Sequence, residues 1–143
     1  MTNVAQVIQD KIEQTIFTIS PEATVLEAIS LMADKGIGAL VVTEQEKVIG
    51  ILSERDYMRK VTLMERRSKE TTVSEIMTAK VLTVTKSTSV EDCLGLMTDR
   101  HLRHLPVVEN DKLIGLISIG DLVKAVMDDQ RKLIDQLQQY IAS

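Results

Sequence analysis

The sequence holds only three aromatic residues in 143, Phe17, Tyr57 and Tyr140, and no tryptophan. That is too few for the row of stacking platforms on which proteins hold single-stranded nucleic acid. Positive charge is short as well. Lys and Arg number 17 against 21 Asp and Glu, and the net charge of −4 gives a nucleic acid or an acidic membrane no overall attraction. No apolar run approaches the roughly 20 residues that cross a bilayer. The start, Met1-Thr2-Asn3-Val4-Ala5-Gln6, has neither the basic residues nor the apolar block of a signal peptide. A single cysteine, Cys93, excludes an internal disulfide, and a reducing cytoplasm is the expected location. With 44 % hydrophobic and 27 % charged residues, the chain has the balance of an ordinary globular protein about one domain long.

What the sequence does hold is a repetition. Residues 16–61 align on 81–126 without a gap and give 14 identities in 46 positions. Pairs such as Val25/Val90, Met32/Met97, Leu40/Leu105 and Gly50/Gly115 match, and Thr24/Ser89 and Glu27/Asp92 are conservative. The leading turn echoes too, with Ile8-Gln9-Asp10 over Val73-Ser74-Glu75. This is a tandem duplication. Repeat one is read as residues 8–61, a polar linker as 62–72, repeat two as 73–127 and a helical tail as 128–143.

Within repeat one, Ile16-Phe17-Thr18-Ile19 reads as a short strand after a weakly helical 4–14, whose stripe is Val4, Ile8 and Ile12. Thr24 and Glu27 form a capping box for a helix with Val25, Ala28, Ile29 and Met32 on one face, ending at Gly36. Gly38–Thr43 is a buried strand, Glu44-Gln45-Glu46 a turn, and Lys47–Leu52 the hairpin partner. A second helix is expected from Glu54 to about Val61. The fold class is therefore α/β of the α+β type: two β-α-β-β-α repeats related by a pseudo-twofold axis, with helical segments at both ends. Each repeat of about 60 residues is marginal alone, so the two should share a core. The tail keeps a stripe of Leu133, Ile134, Leu137, Tyr140 and Ile141, expected to continue the helix that begins at Ile119 and to cover a neighbour in the same chain or in a twin.

The most distinctive repeated phrase is Gly50-Ile51-Leu52-Ser53-Glu54-Arg55-Asp56, with Gly115-Leu116-Ile117-Ser118-Ile119-Gly120-Asp121 placed 65 positions later. Ser opens a helix as its N-cap, and Asp falls at the third helical position beside unpaired backbone N–H groups. One reading is capping alone, with Asp as a shorter stand-in for the usual Glu. The other is a ligand site, phosphate at the helix tip and sugar hydroxyls on the carboxylate, which together describe a nucleotide. The preceding Gly and the repetition count toward the ligand.

The gapless repeat, the two Gly-x-x-Ser-x-x-Asp phrases, the strand His104-Leu105-Pro106-Val107-Val108 and the lead-in Val73-Ser74-Glu75-Ile76-Met77-Thr78 resemble a pair of cystathionine-β-synthase (CBS) domains over roughly residues 8–127. The resemblance implies a non-catalytic energy or redox sensor that binds adenosine-containing ligands in clefts between the repeats. The ligands it implies are AMP, ADP, ATP, NAD(H) and, less so, S-adenosylmethionine. Asp56 and Asp121 would hold ribose hydroxyls, and Ser53 and Ser118 ribose or phosphate. Adenine would lie around Gly38-Ala39-Leu40 and His104-Leu105-Pro106, beside the strands at Ile16 and Val81. Val41 stands where repeat two has Pro106, so the first base pocket departs from the pattern. The resemblance also implies a homodimer, and the downstream protein target is unknown.

Arg55, replaced by Gly120 in repeat two, could give a bidentate phosphate contact at the helix tip. Arg103 and His104 are candidates for phosphate or dimer contact. His101 and His104 form a His-x-x-His pair with no further ligand to complete a metal site, so no metal is expected. Cys93 aligns with Ala28 on a buried helix face and reads as a core residue. A protein–protein scaffold whose phrases are only caps is the alternative to the nucleotide sensor. No nucleophile, base and orienting group can be assembled for an enzyme.

Overall fold

The computed structural model describes residues 2–11 and 16–142. In chain order the elements are α1 (Val4–Asp10), β1 (Thr18–Ile19), α2 (Val25–Lys35), β2 (Ala39–Glu44), β3 (Lys47–Ser53) and α3 (Glu54–Tyr57). They continue with α4 (Val73–Ile76), α5 (Val90–Arg100), β4 (His104–Glu109), β5 (Lys112–Ser118) and α6 (Ile119–Ala142). These fall into two compact units, one of residues 16–82 with 110–114, the other of 2–11, 83–109 and 115–142. The mixed α and β architecture is the one expected from the sequence.

In the first unit the crossover helix makes its flanking strands parallel. Thr18 pairs with Val41 and Ile19 with Val42. The hairpin returns β3 antiparallel to β2, with Gly50 opposite Val42 and a bulge between Val42 and Thr43. Its turn places Gln45 and Glu46 at φ 53° and 68°, the left-handed pair that matches strand twist in a tight hairpin. Ala39 to Val42 are all buried, so β2 lacks the alternation of a half-exposed strand. Its core joins Leu40, Val42 and Leu52 from the sheet with Val25, Ala28 and Met32 from α2 and Val61 from beyond α3.

Three expectations change. The first strand is two residues long and excludes Ile16. Its counterpart in repeat two shrinks to a single bridge, Val84 with Val107, so Val81 lies outside any strand. Helix Glu54–Val61 is not one α-helix, because α3 passes at Met58 into a π-helical turn, Met58–Thr62. The linker is also more than a solvated connection. The carbonyl of Thr71 accepts from Val25 N–H at 2.8 Å and that of Ser68 from Leu26 N–H at 3.0 Å. Those are first-turn donors of α2 that the Thr24 cap, engaged by Glu27 N–H, leaves over.

The lead-in segments belong to the opposite units. Val73 and Ile76 of α4 are buried in the core of the first unit. Helix α1 packs instead in the unit of repeat two, where Val4 N–H donates to Thr88 O at 2.9 Å and Ala5 N–H to Lys86 O at 3.0 Å. Val4 and Val7 are its buried residues; Ile8 is half-buried, and Ile12 lies outside the described residues. The second unit also holds Val90, Cys93 and Met97 of α5, Leu105 and Val107 of β4, Ile117 of β5 and Leu122 of α6 as buried side chains. Helix α6 runs unbroken through the tail, and its Leu133, Ile134, Leu137, Tyr140 and Ile141 stay 53–81 % exposed.

Candidate functional site

Each Ser-x-x-Asp phrase folds as the strand-to-helix junction its residues dictate. Ser53 ends β3 in extended backbone, its Oγ accepts from Asp56 N–H at 3.2 Å, and Asp56 Oδ2 accepts from Ser53 N–H at 3.0 Å. Ser118 and Asp121 repeat this, with Asp121 N–H to Ser118 Oγ at 3.1 Å and Ser118 N–H to Asp121 Oδ2 at 2.8 Å. A further bond ties each junction to its sheet. Glu54 N–H donates to Gly38 O at 3.0 Å, and Ile119 N–H donates to Arg103 O at 2.9 Å. The structure thus brings Ser53, Asp56 and Gly38 together in one unit, and Ser118, Asp121 and Arg103 in the other.

The two carboxylates differ in the cation they face. Lys60, in the π-helical turn, places Nζ 3.4 Å from Asp56 Oδ1 and donates to Ile76 O at 2.9 Å. The position equivalent to Lys60 in repeat two is Ala125. Asp121 is paired instead by Lys11, at the end of α1, whose Nζ lies 2.5 Å from Oδ2 and donates to Leu116 O at 2.8 Å. Both side chains of that pair are largely covered, at 17 % and 22 % exposed. Burial pushes the Asp121 carboxyl up, but the hydrogen bond from Lys11, those from Ser118 and the Lys11 charge outweigh it and hold the group below its ordinary value. Neither lysine was among the site residues read from the sequence. Lys60 was findable, being four residues beyond Asp56 on one helix. Nothing local marks Lys11.

The glycine before each phrase has a packing cause. A Cβ on Gly115 would stand 3.0 Å from Ile8 Cδ1, and one on Gly50 would fall against Met77 Sδ and 3.2 Å from Thr78 O. Each lead-in segment crosses its β-strand at that position. The glycine therefore no longer counts toward a ligand, as it did in the sequence.

Of the other candidates, Leu40 and Leu105 are fully buried and Ala39 and Pro106 nearly so, leaving a base only backbone edges there. Ile16, Val81, Gly38, Arg55 and His104 are half-buried and Arg103 is exposed. No ion pair among the described residues holds Arg55. A small cavity of about 60 Å³ adjoins the second phrase, lined by Val7, Asp10, Lys11, Asp121, Lys124, Ala125 and Asp128. A larger one of about 460 Å³ lies along α6 between Thr2, Val90 and Leu133 and contains none of the expected site residues. The Cys93 thiol is pushed up to about 11, first by burial and then by the Asp92 charge, which keeps it protonated and inert.

The model of the CBS domain matches residues 5–62 and again 73–128. The chain belongs to the CBS-domain family. A solved CBS-domain protein from Burkholderia ambifaria, assigned to signal transduction, is 54 % identical, with a TM-score of 0.85 over 90 % of this chain and 96 % of that one. The mitochondrial CBS-domain protein CBSX3 of Arabidopsis thaliana is 44 % identical over 82 % of this chain, which spans only 60 % of the plant protein. A hexameric CBS-CP12 protein from bloom-forming cyanobacteria is 29 % identical, with a TM-score of 0.75 over 86 % of this chain and 70 % of that one. CBS pairs of this small type are regulatory and signal-transducing proteins. Among the described residues no helix of the pair is long and apolar enough to cross a membrane.

Proposed function

We propose that this CBS pair is a regulatory module that binds adenosine-containing nucleotides at its two Ser-x-x-Asp junctions and catalyses no reaction on them. AMP, ADP, ATP and NAD(H) are the favoured ligands, and S-adenosylmethionine is a weaker one. The observation that carries the reading is the repeated carboxylate. Each Asp is fixed through Oδ2 by its own cap, and Oδ1 of both remains without a hydrogen bond from the described residues. A fixed carboxylate with an available oxygen suits ribose hydroxyls. Arg55 adds a guanidinium at the first junction, where a phosphate chain would be directed.

One observation favours the scaffold reading instead. Both carboxylates already face a lysine of the same chain, so the caps are complete without a ligand. Calorimetry with AMP, ATP, NADH and S-adenosylmethionine separates the two. A ligand at a hundredfold its dissociation constant also adds about 2.7 kcal/mol of stability, visible as a raised melting point. Silence with all four leaves the scaffold.

The exposed stripe on α6 supports a homodimer, since apolar side chains left exposed along one helix face suit an interaction surface. The hexameric relative supports self-association of this architecture in general. A buried, protonated Cys93 is compatible with the reducing cytoplasm.

A further inference from the structure

Asp121 Oδ2 receives two donors, Ser118 N–H at 2.8 Å and Lys11 Nζ at 2.5 Å, which fill its acceptor capacity. A vicinal ribose diol chelated by one carboxylate needs an acceptor on each oxygen, and Oδ2 has none to give while Lys11 stays. The cavity beside the pair, at about 60 Å³, is also far below the roughly 300 Å³ at which small-molecule sites begin. Lys11 lines that cavity together with Asp121. At the first junction Asp56 Oδ2 also has two donors, but both belong to Ser53, its N–H at 3.0 Å and its Oγ–H at 3.1 Å, and turning that hydroxyl away frees the oxygen without breaking an ion pair. Lys60 stands 3.4 Å from Oδ1, longer than a charge-assisted hydrogen bond, and it is nearly half exposed on the same helix as Asp56.

We propose that Lys11 is a built-in competitor for the second site, a latch on α1 that must leave Asp121 before that carboxylate can take a ribose. The inference rests on the nucleoside reading above. The backbone of α1 does not need to move, because Val4 and Val7 are buried and the Val4 and Ala5 N–H groups are bonded to Thr88 and Lys86. What moves is the ammonium on its four-carbon stem, released from Asp121 and from the Leu116 carbonyl together. Ligand at the second site therefore works against the Lys11 pair, and ligand at the first site does not. By reciprocity, anything that strengthens the pair lowers occupancy of the second site alone.

The test uses adenosine, which has no phosphate for Lys11 to attract. With the full chain, Lys11→Met raises second-site affinity about fivefold or more, the lower end of ordinary coupling between two equilibria. Asp121→Ala removes that site. Amine labelling read by mass spectrometry gives a second measure on the unaltered protein: saturating adenosine increases labelling of Lys11 and leaves Lys60 as it was. Binding that depends on Asp121 but is unchanged or weakened in Lys11→Met overturns the latch and keeps the nucleoside reading, as does Lys11 labelling that falls with adenosine. Failure of adenosine to bind either protein removes both.

Discussion

Replacing Gly115 by Ala should destabilise the protein through Ile8, which lies far away in sequence. The added Cβ would stand 3.0 Å from Ile8 Cδ1 and 3.3 Å from Cγ1, with Val107 Cβ at 3.7 Å. Gly115 sits buried in β5, where an Ala would otherwise recover about 0.5–1 kcal/mol of backbone entropy. Overpacking a filled site costs about 1–3 kcal/mol, so the net loss should fall between about 0 and 2.5 kcal/mol, near 1 kcal/mol at the centre of both ranges. At this chain length that is a fall of a few degrees in melting point. The assay is urea unfolding of the wild type, Gly115→Ala, Ile8→Ala and the double variant. Ile8→Ala removes both contacting carbons, so the glycine substitution should become neutral or stabilising in that background, with a coupling of at least about 0.5 kcal/mol. A Gly115→Ala penalty that persists undiminished beside Ile8→Ala would refute the packing account and reopen a ligand role for the glycine.

Asp121→Asn should cost stability at neutral pH and cost nothing in acid. The folded carboxyl lies below its ordinary 3.8, so its contribution is complete above 3.8 and disappears as pH falls through the lower folded value; urea melts of both proteins against pH should converge there. Cys93 should resist alkylation at pH 8 in the folded protein and react on unfolding, because its thiol titrates near 11; prompt modification of native protein would contradict its burial. Light scattering should give about twice the 16.0 kDa chain mass, and truncation after Asp129 should loosen the dimer; a 16 kDa species at micromolar concentration before truncation would count against α6 as the interface.

The duplication, the crossover helices, the hairpins and the caps were all legible, because each rests on neighbours in sequence. Thr24, Ser53, Ser89 and Ser118 all sit where a cap was expected, and all four accept a hydrogen bond on the side-chain oxygen from their N3 amides, those of Glu27, Asp56, Asp92 and Asp121. The brevity of β1 was not legible, since a strand ends where its partner does. Nor was the π-helical turn at Met58, which adds a residue to a helix whose apolar positions fit an ordinary period. The carbonyls of Ser68 and Thr71 that complete the start of α2 were hidden for a different reason. A linker's polar side chains say nothing about where its backbone acceptors go.

The least legible feature was the exchange of lead-in helices, and it accounts for the unequal lysines. Aligned as repeats, Lys60 stands over Ala125 and Lys11 over Ile76, so each lysine looks like an unmatched surface residue. Because α4 packs in the unit of repeat one and α1 in that of repeat two, each carboxylate has two neighbours that could supply a cation: its own helix, or the lead-in of the other repeat. Asp56 draws from its own helix, while Ile76 of the lead-in offers a buried side chain and a carbonyl to Lys60. Asp121 draws from the lead-in, while Ala125 on its own helix offers no charge. One requirement, a countercharge beside a capping carboxylate, is met once in each repeat from non-equivalent positions. Exchanging the sources, with Lys60→Ala and Ala125→Lys together, should therefore leave Asp121 with two candidate cations and Asp56 with none. The first junction should then lose stability while the second becomes independent of Lys11. If Lys11→Met remains as destabilising in that background as in the wild type, the two lysine positions are not interchangeable sources of the same charge.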